Sequence, residues 1–123
     1  MIKLVFVIRR REDLPPEEFH RYWLEEHGPL AGRLLESLGA RRYVQTHTLD
    51  TDLSAALAAS RGTAEAYDGL AEVWWDSLDA LLAVFNTEEG QRANEALIED
   101  EARFIDFERS SFFITEEHTI LDA

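Results

Sequence analysis

Residues Ile2–Ile8, IKLVFVI, are apolar at almost every position. A half-buried strand alternates apolar and polar side chains, whereas one that is apolar throughout must be covered on both faces. The same holds for Gly69–Asp76, GLAEVWWD, in which Trp74 and Trp75 project to opposite sides. Two such strands in a chain of 123 residues demand one sheet with cover on each face. That length suits a single domain over 1–123, and a hydrophobic fraction of 46% supplies a core and excludes disorder.

The remaining elements limit what the cover can be. Arg41–Thr48, RRYVQTHT, reads as a second extended strand, and Phe112–Thr115 as a fourth. Pro15–Leu30 begins with helix-start chemistry: proline in the first turn, then Glu17 and Glu18 at the positive pole. Leu30, Leu34, Leu35 and Leu38 carry helical spacing onward to a stop at Gly39. Ser77 caps a helix whose Leu78, Leu81, Leu82 and Phe85 share one face, and Thr87–Arg103 reads as another helical segment. The order strand, helix, strand, strand, helix, strand predicts an α+β fold. It is the ferredoxin-like βαββαβ arrangement, a four-stranded antiparallel sheet with helices on one face. Helices on one face leave the other apolar face bare. A second copy related by a two-fold axis covers it most simply, which predicts a homodimer, a dimeric α+β barrel.

Within the first helix, Phe19, Tyr22, Trp23 and His27 fall on one stripe, and Gly28–Pro29 is expected to break the helix directly after His27. An imidazole at a helix C-terminus is favoured in its protonated form and suits general acid or base work; equally, it suits capping of a local carbonyl. His47 shares a strand face with Tyr43 and Gln45. Three polar side chains on a covered strand suggest a wet cavity, and an exposed sheet edge explains them too. Glu72 alternates with Trp74 on a central strand, where a carboxylate pairs, meets water or stays protonated. Trp23, Trp74 and Phe6 serve as pocket walls or simply as core. The Leu49–Asp68 connection is longer than a hairpin needs and reads as a lid or a decorated loop, with a short helix after Thr51–Asp52.

Several classes are excluded. A net charge of −13 opposes binding to nucleic acid or to anionic membranes. No cysteine is present, so thiolate metal sites and a cysteine nucleophile are absent. His20 and His27 lie seven residues apart, about 10 Å along a helix, too far for one metal ion. No phosphate-binding glycine loop or nucleophile elbow is present. Haem ligation by His27 or His47 is chemically open, but nothing else asks for it, and no cofactor is expected. The opening apolar run is too short for a signal peptide or a span, so a cytoplasmic protein with no membrane partner is expected.

The segments RRREDLPPEEFHRYWLEEHGPL, RRYVQTH, YDGLAEVWWDSLDALLAVFNTEEG and DEARFIDFERSSFFITEEH, in that order, resemble the EthD-like family, named for ethyl tert-butyl ether degradation. The resemblance covers most of the chain, with Leu49–Ala66 outside it. It implies a dimeric α+β barrel and places His27 at the family's H-G/A-P position. Its implied chemistry is mixed: some members are linked to ether or steroid catabolism, and fungal relatives act as dehydratases or decarboxylases. Wider relatives include cofactor-free monooxygenases, isomerases and haem-degrading proteins.

The function expected is a small-molecule enzyme performing cofactor-independent acid–base chemistry on an apolar or aromatic metabolite, by dehydration, decarboxylation or isomerisation. His27 and His47 would be catalytic, Tyr43 and Gln45 would orient polar groups, and Trp23, Trp74, Glu72 and Phe6 would contact substrate. The alternatives are a non-catalytic accessory protein holding a hydrophobic metabolite, and a cofactor-free monooxygenase.

Overall fold

The computed structural model describes residues 1–123. The strands are β1 (Ile2–Ile8), β2 (Arg42–His47), β3 (Gly69–Trp75) and β4 (Ser111–Glu116). They form one antiparallel sheet in the order β2-β3-β1-β4, the ferredoxin-like order expected. The helices are α1 (Pro16–Tyr22), α2 (Gly28–Ser37), α3 (Asp52–Arg61), α4 (Leu78–Phe85) and α5 (Glu88–Glu101). Thr51, Ser77 and Thr87 cap the N-termini of α3, α4 and α5 through their side-chain oxygens. At the end of α2, Gly39 takes φ +86°. Its N–H reaches Glu36 O while Ala40 N–H reaches Leu35 O, the paired bonds of a Schellman stop.

Register settles which side chains share a face. Leu4, Val73 and Tyr43 stand side by side, as do Phe6, Ala71 and Gln45, and Ile8, Gly69 and His47. These rungs face the helices, where Trp23, Phe19, Ala31, Leu35 and Leu97 complete the core. The opposite rungs are Lys3, Trp74 and Arg42; Val5, Glu72 and Val44; and Val7, Leu70 and Thr46. No helix of the chain covers them. Trp74 and Glu72, expected beside Trp23, therefore lie across the sheet from it. Glu72 pairs with Lys3 at 2.6 Å, and the Trp74 indole N–H donates to Glu117. Trp75 is the inward tryptophan, 1% exposed, and its indole N–H donates to Leu38 O at 3.2 Å.

Gly28–Pro29 does not break the helix. A π-helical turn, Trp23–His27, joins α1 to α2, and the Gly28 N–H bonds Trp23 O. Proline in a regular helix removes a bond and crowds the carbonyl four residues back. Here the bonding slips from i−4 to i−5 just ahead of Pro29, and the wider turn carries the chain past the ring. His27 consequently sits inside a continuous helical rod rather than at a C-terminus.

Gly69 makes room for Trp23. A Cβ there would lie 2.6 Å from both Thr46 O and the Trp23 ring. At Gly32, by contrast, an added Cβ meets nothing within 4 Å. Gly69→Ala is expected to destabilise the protein by about 1–3 kcal/mol, the usual cost of overpacking. Gly32→Ala is expected to be neutral or stabilising by up to about 1 kcal/mol. Urea unfolding of the two variants beside the wild type checks both.

Candidate functional site

Between the sheet and the helices lies a cavity of ≈ 500 Å³. Leu4, Phe6, Ile8, Val73 and Trp75 floor it; Trp23, Ala31 and Leu35 wall one side and Leu97 and Ile98 another, with Phe107 and Phe112 at the β4 side. Against this apolar lining stand a few polar groups: His27, Tyr43, Asn94, Glu101 and Ser110. An apolar enclosure with few convergent polar groups is the usual form of a small-molecule site.

His27 reaches the cavity from the π turn and is 4% exposed. Its Nδ1 lies 2.7 Å from Asp100 Oδ2. The other Asp100 oxygen accepts the Tyr22 hydroxyl at 2.6 Å and lies 3.5 Å from Arg103 Nε. A carboxylate facing Nδ1 fixes the neutral tautomer, with the proton on Nδ1 and a bare Nε2. Nε2 has no protein partner, yet no buried polar side-chain atom is left orphaned, so Nε2 keeps some exposure, on a residue that lines the cavity. Burial lowers the His27 pKa, and Asp100 offsets part of that. The helix-end argument for a protonated imidazole thus gives way to desolvation, because His27 is not at a helix end. Burial, then the bond to Asp100, raises the Tyr22 pKa to about 12.

Glu101 follows Asp100 at the end of α5 and lines the same cavity. Burial, reinforced by the neighbouring Asp100 charge, raises its pKa to about 7. The cavity therefore holds an imidazole that resists protonation and a carboxyl that resists ionisation.

His47, Gln45 and His20 form a second network. The Gln45 Nε2 group donates to Trp23 O at 2.8 Å and to the Tyr43 hydroxyl oxygen at 3.0 Å. His47 Nε2 lies 2.7 Å from Gln45 Oε1, and its Nδ1 lies 2.7 Å from His20 Nδ1. The His47 ring stacks on Trp23 with centroids 4.1 Å apart. Trp23 lines the cavity, and His47 and Gln45 do not.

Of the residues singled out from sequence, His27, Tyr43, Trp23 and Phe6 meet at the cavity. His47, expected to share it with His27, lies outside, with its ring against Trp23. Gln45 reaches the cavity only through Tyr43, and Trp74 and Glu72 are on the far face of the sheet. The Leu49–Asp68 segment contributes no residue to the cavity, and α3 within it buries none of its side chains, so it is a decorated loop rather than a lid over this site. Asp100 and Glu101 were not singled out. Their signal was the run Glu99-Asp100-Glu101 at the negative pole of a helix, a placement that costs stability unless the carboxyl groups have other work or partners. No group of three or more His, Asp or Glu is placed to hold a metal ion, and no helix is long and apolar enough to cross a membrane.

Residues 11–108 match the family model described as the EthD domain. Among solved structures, the chain resembles an ethyl tert-butyl ether degradation family protein of Bacillus halodurans, with TM-score 0.63 and 21% identity over 96% of this chain and 99% of that one. A dimeric ferredoxin-like protein of unknown function from Bacteroides fragilis matches with TM-score 0.52 and 14% identity over 94% and 95%. SnoaB, a cofactor-independent oxygenase of Streptomyces nogalater, matches with TM-score 0.56 and 15% identity over 98% and 97%. No curated protein sequence matches the chain.

The raised pKa of Glu101 fixes the sign of a stability effect. Below pH 4.5, its ordinary value, the carboxyl is protonated in the folded and unfolded chain alike. As pH rises from there to about 7, only the unfolded chain loses the proton, so stability falls; above that window the cost is constant. His27 acts in the opposite sense, since its lowered pKa costs stability as pH falls below 6.5, but it is common to wild type and variant and cancels. Glu101→Gln should match the wild type near pH 4 and exceed it at pH 8, by about 2–3 kcal/mol. Urea unfolding of both proteins across that range is the measurement, and equal stability at pH 8 would contradict the assignment.

Proposed function

The chain belongs to the EthD domain family, and on that footing we propose that it is an enzyme moving protons on an apolar or aromatic metabolite without a cofactor. The observation that carries the reading is the Asp100–His27 pair at the wall of an apolar cavity, with Nε2 left without a protein partner. A substrate buries its hydrocarbon body against Trp23, Phe6 and Trp75. His27 Nε2 takes a proton from an acidified C–H or O–H bond, and Asp100 steadies the imidazolium that forms, as a carboxylate does behind a catalytic histidine. Glu101, whose raised pKa of about 7 keeps a share of it protonated at neutral pH, returns a proton to a leaving oxygen or to a neighbouring carbon. Dehydration, decarboxylation and isomerisation all fit that pair of transfers. The resemblance to SnoaB favours a second reading with the same first step: the anion left by proton removal reacts with dioxygen.

The test needs no knowledge of the substrate. 5-Nitrobenzisoxazole opens when one proton is removed, and a base in an apolar enclosure accelerates that opening. The wild type should open it faster than free imidazole at equal concentration. His27→Gln should lower that rate by ~10²–10⁴-fold, the range for a lost general base, with Asp100→Asn intermediate. Full activity in folded His27→Gln would remove the histidine from the reading and leave the accessory role. Once a metabolite is identified by mass spectrometry of the purified protein, oxygen uptake on its addition separates the oxygenase reading from the others.

We also propose a homodimer formed through the outer sheet face, where Val5, Val44, Leu70, Trp74 and Phe113 lie without helical cover. An obligate interface of this kind buries more than about 2,000 Å². Sedimentation should give a dimer at low micromolar concentration, weakened by Phe113→Glu, and a stable monomer there would overturn the proposal.

A further inference from the structure

We propose that His20, His47 and Gln45 are a positioning chain that holds the Tyr43 hydroxyl as a hydrogen-bond donor, giving the cavity a subsite for a carbonyl oxygen. The proposal deepens the reading of the cavity as a substrate site. It concerns a different part of the wall from His27 and a different step, binding rather than proton transfer.

The direction of every bond in the chain follows from one atom that has no proton. Trp23 O is a backbone carbonyl and can only accept, so the Gln45 atom 2.8 Å from it is the NH2 group. Gln45 Oε1 is then the atom facing His47 and accepts, so His47 Nε2, at 2.7 Å, carries a proton. On the other side of that ring, the two Nδ1 atoms of His47 and His20 face each other at 2.7 Å. One proton fits between them, and two do not. The pair thus carries one proton on that contact whether its total charge is zero or one, and Nε2 of His47 stays protonated in both states.

At the other end, the second N–H of Gln45 points to the Tyr43 oxygen at 3.0 Å. Tyr43 accepts there, so its own proton is not spent on Gln45, and no protein group accepts it. Tyr43 lines the cavity. Had the amide been turned over, the Tyr43 O–H would donate to Gln45 Oε1 and show the cavity only lone pairs. Trp23 O forbids that orientation. Burial raises the Tyr43 pKa, against the opposing donors Gln45 and Trp23, with Glu101 adding to the rise; the hydroxyl therefore keeps its proton at neutral pH. A carbonyl oxygen, which accepts and cannot donate, is the complement of this subsite. Such a bond also draws electron density from the carbonyl and acidifies the adjacent C–H, which is the proton a base like His27 would take.

The histidine pair can respond to its surroundings without losing this polarity. His20 feels Asp68, Arg10 and Glu17, and His47 feels His20. Burial lowers the pKa of both rings. A second proton on the Nδ1–Nδ1 contact would set two N–H groups head-on, separate the rings and free Gln45 to turn.

The probes are 2-acetylnaphthalene, labelled with ¹³C at the carbonyl, and 2-ethylnaphthalene, which has the same outline without the oxygen. Binding is followed by tryptophan fluorescence and the bound carbonyl stretch by infrared difference spectroscopy. The wild type should prefer the ketone by about tenfold, the scale of one hydrogen bond, and should lower the carbonyl stretch below its value in hexane. Tyr43→Phe should abolish both the preference and the shift while keeping affinity for 2-ethylnaphthalene. Gln45→Leu and His47→Leu should reduce the shift, although neither residue touches the probe. Equal binding of the two probes to wild type, or an undiminished shift in either Leu variant, would overturn the proposal. Binding of neither probe would overturn it together with the substrate-site reading. A loss of 5-nitrobenzisoxazole opening with the infrared shift intact would strike only the role of His27. Should the Leu variants fail to bind 2-ethylnaphthalene, ¹⁵N NMR of wild-type histidines decides: a bare Nε2 on His47 contradicts the chain, and a protonated Nε2 beside a shared Nδ1 proton supports it.

Discussion

The arrangement of the cavity depends on the carbonyl oxygen of Trp23. It accepts the Gly28 N–H that defines the π turn and the Gln45 amide from the sheet. The first bond shifts the helix by one residue, carries it past Pro29 and keeps His27 inside the rod. The second ties that turn to β2 and sets the polarity of everything bonded to Gln45. The indole of the same residue fills the space left by Gly69 and separates His47 from the cavity. A π turn is less favourable than an α turn, and such turns concentrate at functional sites where tertiary contacts hold them. Here the holding contacts are the stacked ring, which is 1% exposed, and the two bonds on one oxygen.

Burial then rearranges the proton affinities inside. In water a histidine at 6.5 holds a proton more tightly than a glutamate at 4.5. In the cavity, desolvation pulls His27 down from 6.5 and pushes Glu101 up to about 7. The ordinary order is inverted: near neutrality it is the carboxyl that titrates, while the imidazole stays neutral with Nε2 bare. Neither group needs a metal or a distant charge for this; the low-polarity lining that would receive a hydrocarbon also sets the two protonation states. Asp100 works against the effect at His27 and with it at Glu101. One carboxylate thus orients the imidazole and helps keep its neighbour protonated.

Much of the frame was legible in the sequence. Two-sided apolarity located β1 and β3, and cap residues with 3.6-residue spacing located α4 and α5 to within two residues. What failed were rules that are local. Gly28–Pro29 reads as a break because proline opposes an α turn, but a carbonyl and an amide from another strand decide otherwise. Adjacent Trp74 and Trp75 must face opposite ways, yet period two does not say which faces the helices; the rungs Leu4–Val73–Tyr43 and Phe6–Ala71–Gln45 do. Asp100 and Glu101 were hidden because α5 is acidic along its length, and a carboxylate on such a helix looks solvated until the neighbouring rod brings His27 against it.

The outer face of the sheet obeys a different constraint from the inner one. Its rungs mix valines with Lys3, Glu72, Arg42 and Trp74. Covering lone charges there would cost several kcal/mol each. They are not alone: Lys3 meets Glu72 at 2.6 Å and Glu117 at 3.5 Å, and both Lys3 and Arg42 lie over the Trp74 ring, at 5.3 Å and 4.9 Å. A partner laid on this face would desolvate charges that are already matched, while gaining the apolar area of Phe113, Val44 and Leu70. The matched charges add little to the strength of such contact, but they penalise any docking that separates Lys3 from Glu72. In the proposed dimer the apolar strand pattern would therefore supply the drive for association, and the ion pair would constrain its register.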